Sequence, residues 1–170
     1  QWPEENNHTA PASLYNAMLH PVLPFTARGF IWYQGENNVN RPEQYSRLQP
    51  AFVRMLRDDT GNADMPFYYT QIAPYSYGNP DGTAAGCFMW MQAQNRKEIP
   101  NSAMAATLDT GESDCIHPSD KQTTANRLAG IALMRDYGYE YIDAGTPVAE
   151  SFCFENGIAK VRFDVGRKGM

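Results

Sequence analysis

Two short stretches hold the side chains best suited to chemistry. In "LDTGESDCIHP", Asp114 and His117 stand three residues apart. A histidine acts as a general base when a carboxylate accepts a hydrogen bond from its Nδ1–H, which fixes the tautomer and stabilises the imidazolium as it forms. Across a tight loop, that spacing lets both side chains reach one place. The same spacing also suits a helix-entry loop with an acidic cap and a solvated histidine. In "GFIWYQGENN", Gln34, Gly35 and Glu36 follow an apolar, aromatic run. A side-chain amide at the tip of a rigid strand can donate N–H to an oxyanion, with Glu36 orienting the loop through backbone hydrogen bonds. A polar turn, with Gly35 as its permissive position and Gln34 ending the strand, accounts for the same residues.

Both stretches need elements to hold them. "ARGFIWYQ" reads as a buried strand introduced by Gly29. "RPEQYSRLQPAFVRMLRDDTG" repeats Tyr45, Leu48, Phe52, Met55 and Leu56 at helical steps and stops at Gly61, with Pro50 expected to kink or break the helix. "MPFYYTQIA" is a second strand, the Gly/Pro-rich "PYSYGNPDGT" a loop, and "AAGCFMWMQAQNRKEIP" a helix ended by Pro100. "SAMAATLD" is a third strand. "PSDKQTTANRLAGIALMRDYG" is a helix beginning with Pro118, with Ser119 and Gln122 as a capping pair and Gly138 at its end.

Strand, helix, strand, helix, strand, helix is the order of βαβ units with parallel strands, whose functional loops gather at the strands' carboxyl ends. The Gln34 and His117 loops therefore belong on one rim. Beyond Asp143 the pattern changes to alternating runs around Asn156-Gly157, a hairpin signal. The division expected is residues 1–143 as one α/β unit and 144–170 as the start of a β-rich module.

The 170 residues are 42% hydrophobic and 19% charged, a globular composition. Fourteen basic against nineteen acidic residues give a net charge of −5 with no basic cluster, so nucleic acid is not an expected partner. No apolar run is long enough for a membrane span. Three widely separated histidines and three cysteines offer few metal ligands, and no metal is expected. A Cys87–Cys115 disulfide is compatible with the cysteine count. His20, among apolar residues, suggests a packed structural histidine, and Trp32 and Tyr33 suggest core. Tyr75 and Tyr77, in the Gly/Pro-rich loop, are candidates for stacking on a sugar ring.

"LYNAMLHPVLPF", "GFIWYQGENN", "YSRLQPAFVRMLR", "PFYYTQIAPY", "MQAQ", "ATLDTGE" and "IHPSDKQTTANRLA", in this order, resemble the sialate O-acetylesterase family, carbohydrate esterases of the SGNH-hydrolase superfamily. The resemblance implies a three-layer α/β/α, flavodoxin-like parallel sheet, incomplete here at its N-terminal side. It implies removal of acetyl groups from sugar hydroxyls by a Ser-His-Asp triad without cofactor, with 9-O-acetyl sialic acid or acetylated hemicellulose as substrate. His117 would be the base, Asp114 its orienting acid, and Gln34 the oxyanion donor, supported by Gly35 and Glu36. Such enzymes act in the periplasm, outside the cell or in lysosomes, and the Asn7-His8-Thr9 sequon permits glycosylation.

The family's Gly-x-Ser nucleophile motif is absent from this sequence. Ser113, beside Asp114, sits on the wrong strand for the role. The nucleophile is expected in an N-terminal part of the hydrolase domain carried by the same precursor or by another chain. An open strand edge should mark the join, and the chain alone should be inactive. A sugar-binding module without catalysis is the competing reading.

Overall fold

The computed structural model describes residues 10–78, 81–142, 144–145 and 147–164. The sequon at Asn7 and the expected boundary at residue 143 lie outside the described residues. Strands β1 (Phe30–Trp32), β2 (Phe67–Thr70) and β3 (Ser102–Ala105) form a parallel sheet in the order β1-β2-β3. The crossovers are α1 (Pro42–Thr60) and α2 (Thr83–Glu98), and α3 (Lys121–Asp136) follows β3. Strand register sets the layers, because side chains alternate across a strand. Phe67 and Tyr69 of β2 pack with Val53 and Leu56 of α1, while Tyr68 packs with Leu128 and Ile131 of α3. Met104, beside Tyr69, joins the first cluster, and Ala103 and Ala105, beside Tyr68 and Thr70, join the second. The result is helix, sheet, helix, with the central strand β2 buried at every residue.

Several boundaries differ from those expected of the sequence. Pro50 does not break α1: the helix runs unbroken through it, and Pro50 is buried between Gln49 and Val53. Burial of that face offsets the one backbone donor the ring removes. Helix α3 starts at Lys121 rather than Pro118, and its cap is Asp120, whose carboxylate accepts from the Thr123 N–H at 2.9 Å. Ser119 is engaged elsewhere, so the Ser119–Gln122 capping pair does not form. Helix α1 ends as expected on Gly61 in the left-handed conformation.

Strand β1 is an edge among the described residues. It pairs with β2 alone, and its Ile31 side chain is 64% exposed. Strands β4 (Val148–Glu155) and β5 (Ile158–Asp164) form an antiparallel hairpin. Asn156 and Gly157 both take positive φ, 51° and 76°, as a two-residue hairpin turn requires. Phe152, Phe154, Val161 and Phe163 are exposed, whereas Lys160 pairs with Glu155 and Arg162 with Glu150.

Candidate active site

Gln34 and Gly35 come two and three residues past Trp32, the last residue of β1, and the Asp114–His117 loop follows β3. Because the strands are parallel, both loops leave the same end of the sheet. A direct contact spans the two regions: Lys121 Nζ, four residues past His117, stands 5.1 Å from the centroid of the Tyr33 ring, next to Gln34.

The Gln34 side of the rim is locked. Gln34 Nε2 donates to Asn38 Oδ1 at 2.8 Å, and Tyr45 of α1 donates its hydroxyl to the Gln34 carbonyl oxygen at 3.1 Å. The Tyr45 hydroxyl accepts in turn from Trp32 Nε1 at 3.3 Å. Gly35 is buried with φ at +156°, and a Cβ there would stand 2.7 Å from Ile72 Cγ2 and 2.8 Å from Phe88 Cε1. A side chain has no room at this position, so glycine is needed for close approach. Beneath it the fully buried Gln92 accepts from the Ile72 N–H at 2.9 Å and donates to Thr70 O. Glu36 opens a short 3-10 turn over Glu36–Asn38 and is half-buried.

The His117 side is held by its backbone and leaves its side chains free. Asp114 and His117 are both exposed, and no hydrogen bond joins them. Glu112 fastens the loop: its Oε1 accepts from both the N–H and the Oγ–H of Ser119 at 2.7 Å, and these bonds hold its carboxyl below the usual glutamate range. Ser76 donates its N–H and its hydroxyl to the Ser113 carbonyl oxygen, tying this loop to the one after β2. Gly111 sits so close to Pro74 that a Cβ would collide with the Pro74 backbone. Further in, Arg127 of α3 forms a two-pronged ion pair with Asp109, at 2.7 and 2.6 Å, and donates to the Ala106 carbonyl oxygen. Those donors hold the Asp109 carboxyl down to about 2.

Tyr75 and Tyr77 meet edge to face, with centroids 5.1 Å apart. Tyr77 is half-buried, donates to the Ala73 carbonyl oxygen at 2.9 Å and packs against the cluster of Val39, Tyr45, Ile72 and Phe88. Burial, and after it the Glu36 carboxylate, pushes the Tyr33 and Tyr77 hydroxyls above the ordinary tyrosine value. Both therefore remain neutral hydroxyls at physiological pH.

Three further expectations are corrected. Tyr33 lies beyond the end of β1 and is 37% exposed at the rim rather than in the core, which leaves its ring free to meet Lys121. His20 is exposed, with its ring 5.8 Å from that of Tyr15, and is not a packed core histidine. Cys87 and Cys115 are both free thiols, and Cys115 Sγ donates to the His117 carbonyl oxygen at 3.2 Å. Reading the sequence alone missed Asp109, Arg127, Tyr45, Gln92 and Lys121. Asp109 and Arg127 stood in distinctive blocks, but nothing in their spacing pairs them.

Fold and rim together define an α/β/α protein with polar and titratable groups gathered at the carboxyl ends of its strands. Residues 1–137 match the family model described as carbohydrate esterase, sialic acid-specific acetylesterase, and the chain belongs to that family. The sialate O-acetylesterase of Rattus norvegicus is 33% identical over 142 residues, covering 74% of this chain and 26% of the rat protein. The mouse enzyme is 29% identical over 92% of this chain and 32% of its own length, and the human one 30% identical over 81% and 29%. A crystal structure of a carbohydrate acetylesterase from Xanthomonas citri superposes with a TM-score of 0.81 at 32% identity, covering 89% of this chain and 36% of that one. The chain thus spans about a third or less of the length of the curated relatives it matches.

Proposed function

We propose that the protein to which this chain belongs is a carbohydrate O-acetylesterase of the SGNH type, with acetyl esters of sialic acid, the 9-O-acetyl ester foremost, as substrate. The observation that carries the reading is the shared rim: an amide after β1 and an imidazole after β3, bridged by Lys121 over Tyr33.

In this reading a serine hydroxyl attacks the acetyl carbonyl while His117 takes its proton, with Asp114 orienting the ring. The carbonyl oxygen becomes the oxyanion and meets the second N–H of the Gln34 amide, the first being held by Asn38. Collapse of the tetrahedral intermediate releases the sugar hydroxyl, protonated by His117. Water, deprotonated by the same base, then frees acetate from the acyl-serine. Tyr75 and Tyr77 flank the entrance and stack on the sugar.

In this reading the serine belongs to an N-terminal part of the hydrolase domain, carried by the same precursor or by another chain, and that part covers the open edge of β1. The Asp114–His117 hydrogen bond forms as it closes over the loop.

The test uses the protein extended upstream to include a Gly-x-Ser motif. It should cleave 9-O-acetyl sialic acid, and His117→Ala should lower kcat by several orders of magnitude with unchanged thermal unfolding. Undiminished turnover in that variant removes the reading. Turnover by the present chain alone, abolished by Ser113→Ala, would place the nucleophile in the His117 loop instead. Preference for acetylated xylan over acetylated sialic acid would move the substrate class without touching the mechanism.

A further inference from the structure

Strand β3 is the other edge of the sheet among the described residues, since it pairs with β2 alone. An uncovered edge invites a second copy of the chain to add its own strand, and proteins answer with charged residues, proline or a bulge in the edge strand. Strand β3 has none of these. Ser102 to Leu108 reads SAMAATL, without charge or proline, and the register with β2 is unbroken. Any protection comes from outside the strand.

Helix α3 supplies part of it. The Phe67 N–H donates to the Asn101 carbonyl oxygen at 3.2 Å and the Gln71 N–H to that of Ala105 at 3.0 Å. Backbone groups alternate along a strand, so the carbonyls of Ser102, Met104 and Ala106 face outward. Arginines about two turns apart on α3 take both ends of that outward row. Arg135 Nη1 donates to the Ser102 carbonyl oxygen at 2.7 Å, and Arg127 Nη1 to that of Ala106 at 2.6 Å. Each guanidinium is itself held, that of Arg135 at 5.7 Å from the Tyr68 ring centroid and that of Arg127 by the Asp109 carboxylate. Met104, between them, has a partner of its own.

The chain beyond α3 then turns back along it. Gly138 takes a φ of 73°, and the Tyr139 N–H donates to the Leu133 carbonyl oxygen at 3.1 Å. Leu133, Gly130 and Arg127 stand three residues apart on one face of the helix, and the returning residues meet them in reverse order. At Gly130 a Cβ would stand 3.7 Å from Ile142 Cγ2 and 3.0 Å from Ala144 Cβ. Gly145 and Pro147 line a hollow of about 390 Å³ together with Arg127 and Ala106. Ala144 also packs on the cluster that holds Ala105 of β3 with Leu128 and Ile131. Glycine is unfavourable inside a helix, and here it provides the notch that lets the returning chain come close. We infer that Tyr139, Ile142, Ala144 and Pro147 belong to a strap which, with the Arg127 and Arg135 guanidinium groups, closes the β3 edge against strand addition by a second copy of this chain. The strap requires no chemistry at the rim and stands whether or not the esterase reading does.

Sedimentation velocity and amide hydrogen exchange on the present chain test it together. As the wild-type concentration is raised about a hundredfold, exchange over Ser102–Ala106 should stay constant. Gly130→Leu fills the notch, and Arg135→Met frees the Ser102 carbonyl oxygen. The double variant should sediment as one copy when dilute and move towards two over the same concentration range, with exchange over Ser102–Ala106 slowing as the larger species appears. Ala144→Asp with Arg135→Met lifts the strap without altering the notch and should behave in the same way. Retained protection of Tyr68 and Tyr69 in β2 certifies that each variant is folded. Wild-type association that slows exchange in β3 overturns the proposal. So do folded variants that stay single copies at every concentration, and variants whose association slows exchange at Ile31 of β1 instead of in β3.

Discussion

The two halves of the rim are built to different standards. At the end of β1, Gly35 is wedged against Ile72 and Phe88, and Gln34 is held at its carbonyl by Tyr45 and at its amide by Asn38. At the end of β3, the backbone is stapled by Glu112, Ser76 and Arg127, yet Asp114 and His117 reach solvent unpaired. An oxyanion donor works by being in place before charge develops, so rigidity serves it. A proton-transferring histidine has to exchange partners during turnover, and its hydrogen bonds commonly tighten only when the site is complete. On the proposed esterase reading, the Gln34 half is finished within this chain and the His117 half waits for a neighbour.

Four perturbations should separate the halves, the largest acting on the unfinished one. In the upstream-extended protein, Asp114→Asn should lower kcat by roughly 10⁴, whereas in the present chain, where the side chain is exposed and has no partner, the same change should leave the urea midpoint in place. A loss under tenfold would hand the orienting role to Glu112 despite its bonds to Ser119. Next, Gly35→Ala should cost about 1–3 kcal/mol in denaturant unfolding, as an added methyl meets Ile72 and Phe88 in a packed core. Equal stability would show the β1 tip to be more pliable than drawn.

The Asp109–Arg127 pair gives a pH signature. The carboxyl's folded value, about 2, lies below the ordinary 3.8, so its contribution to stability is complete above pH 3.8 and is lost as the pH falls towards 2. Asp109→Asn should flatten that limb of a melting-temperature profile. An identical acid limb in wild type and variant would assign it to other carboxylates. The smallest effect belongs to Lys121→Met, which removes the cation over Tyr33 and should cost about 0.5–1 kcal/mol. A loss of several kcal/mol would mean that Lys121, rather than the staples, holds the two halves together.

Much of this architecture could be read from residue order. The alternation of strands and helices yielded a parallel sheet, and parallelism alone put Gln34 and His117 on one rim. Asn156-Gly157 announced its hairpin because few other residues tolerate two positive φ values in succession. What escaped depends on contacts between distant segments. Ser119 looked like a cap until Glu112 claimed it, and Asp120 took the position instead. Pro50 signalled a break that burial of its helix face overrode. Tyr33 looked like core because the strand was read past Trp32, where it ends. Nothing in the order of residues pairs Gln49 of α1 with Asn95 of α2, which donates to it at 2.8 Å once the two helices pack.

Strand β2 is flanked on both sides, covered on both faces and nowhere more than 3% exposed over Phe67–Tyr69. The Phe67 amide, which donates to the Asn101 carbonyl oxygen on the β3 side, meets solvent only when that side of the sheet and the helices over it part. Deuterium uptake there should therefore report the cooperative opening of the whole domain, while Ile31 at the open edge exchanges through local fraying.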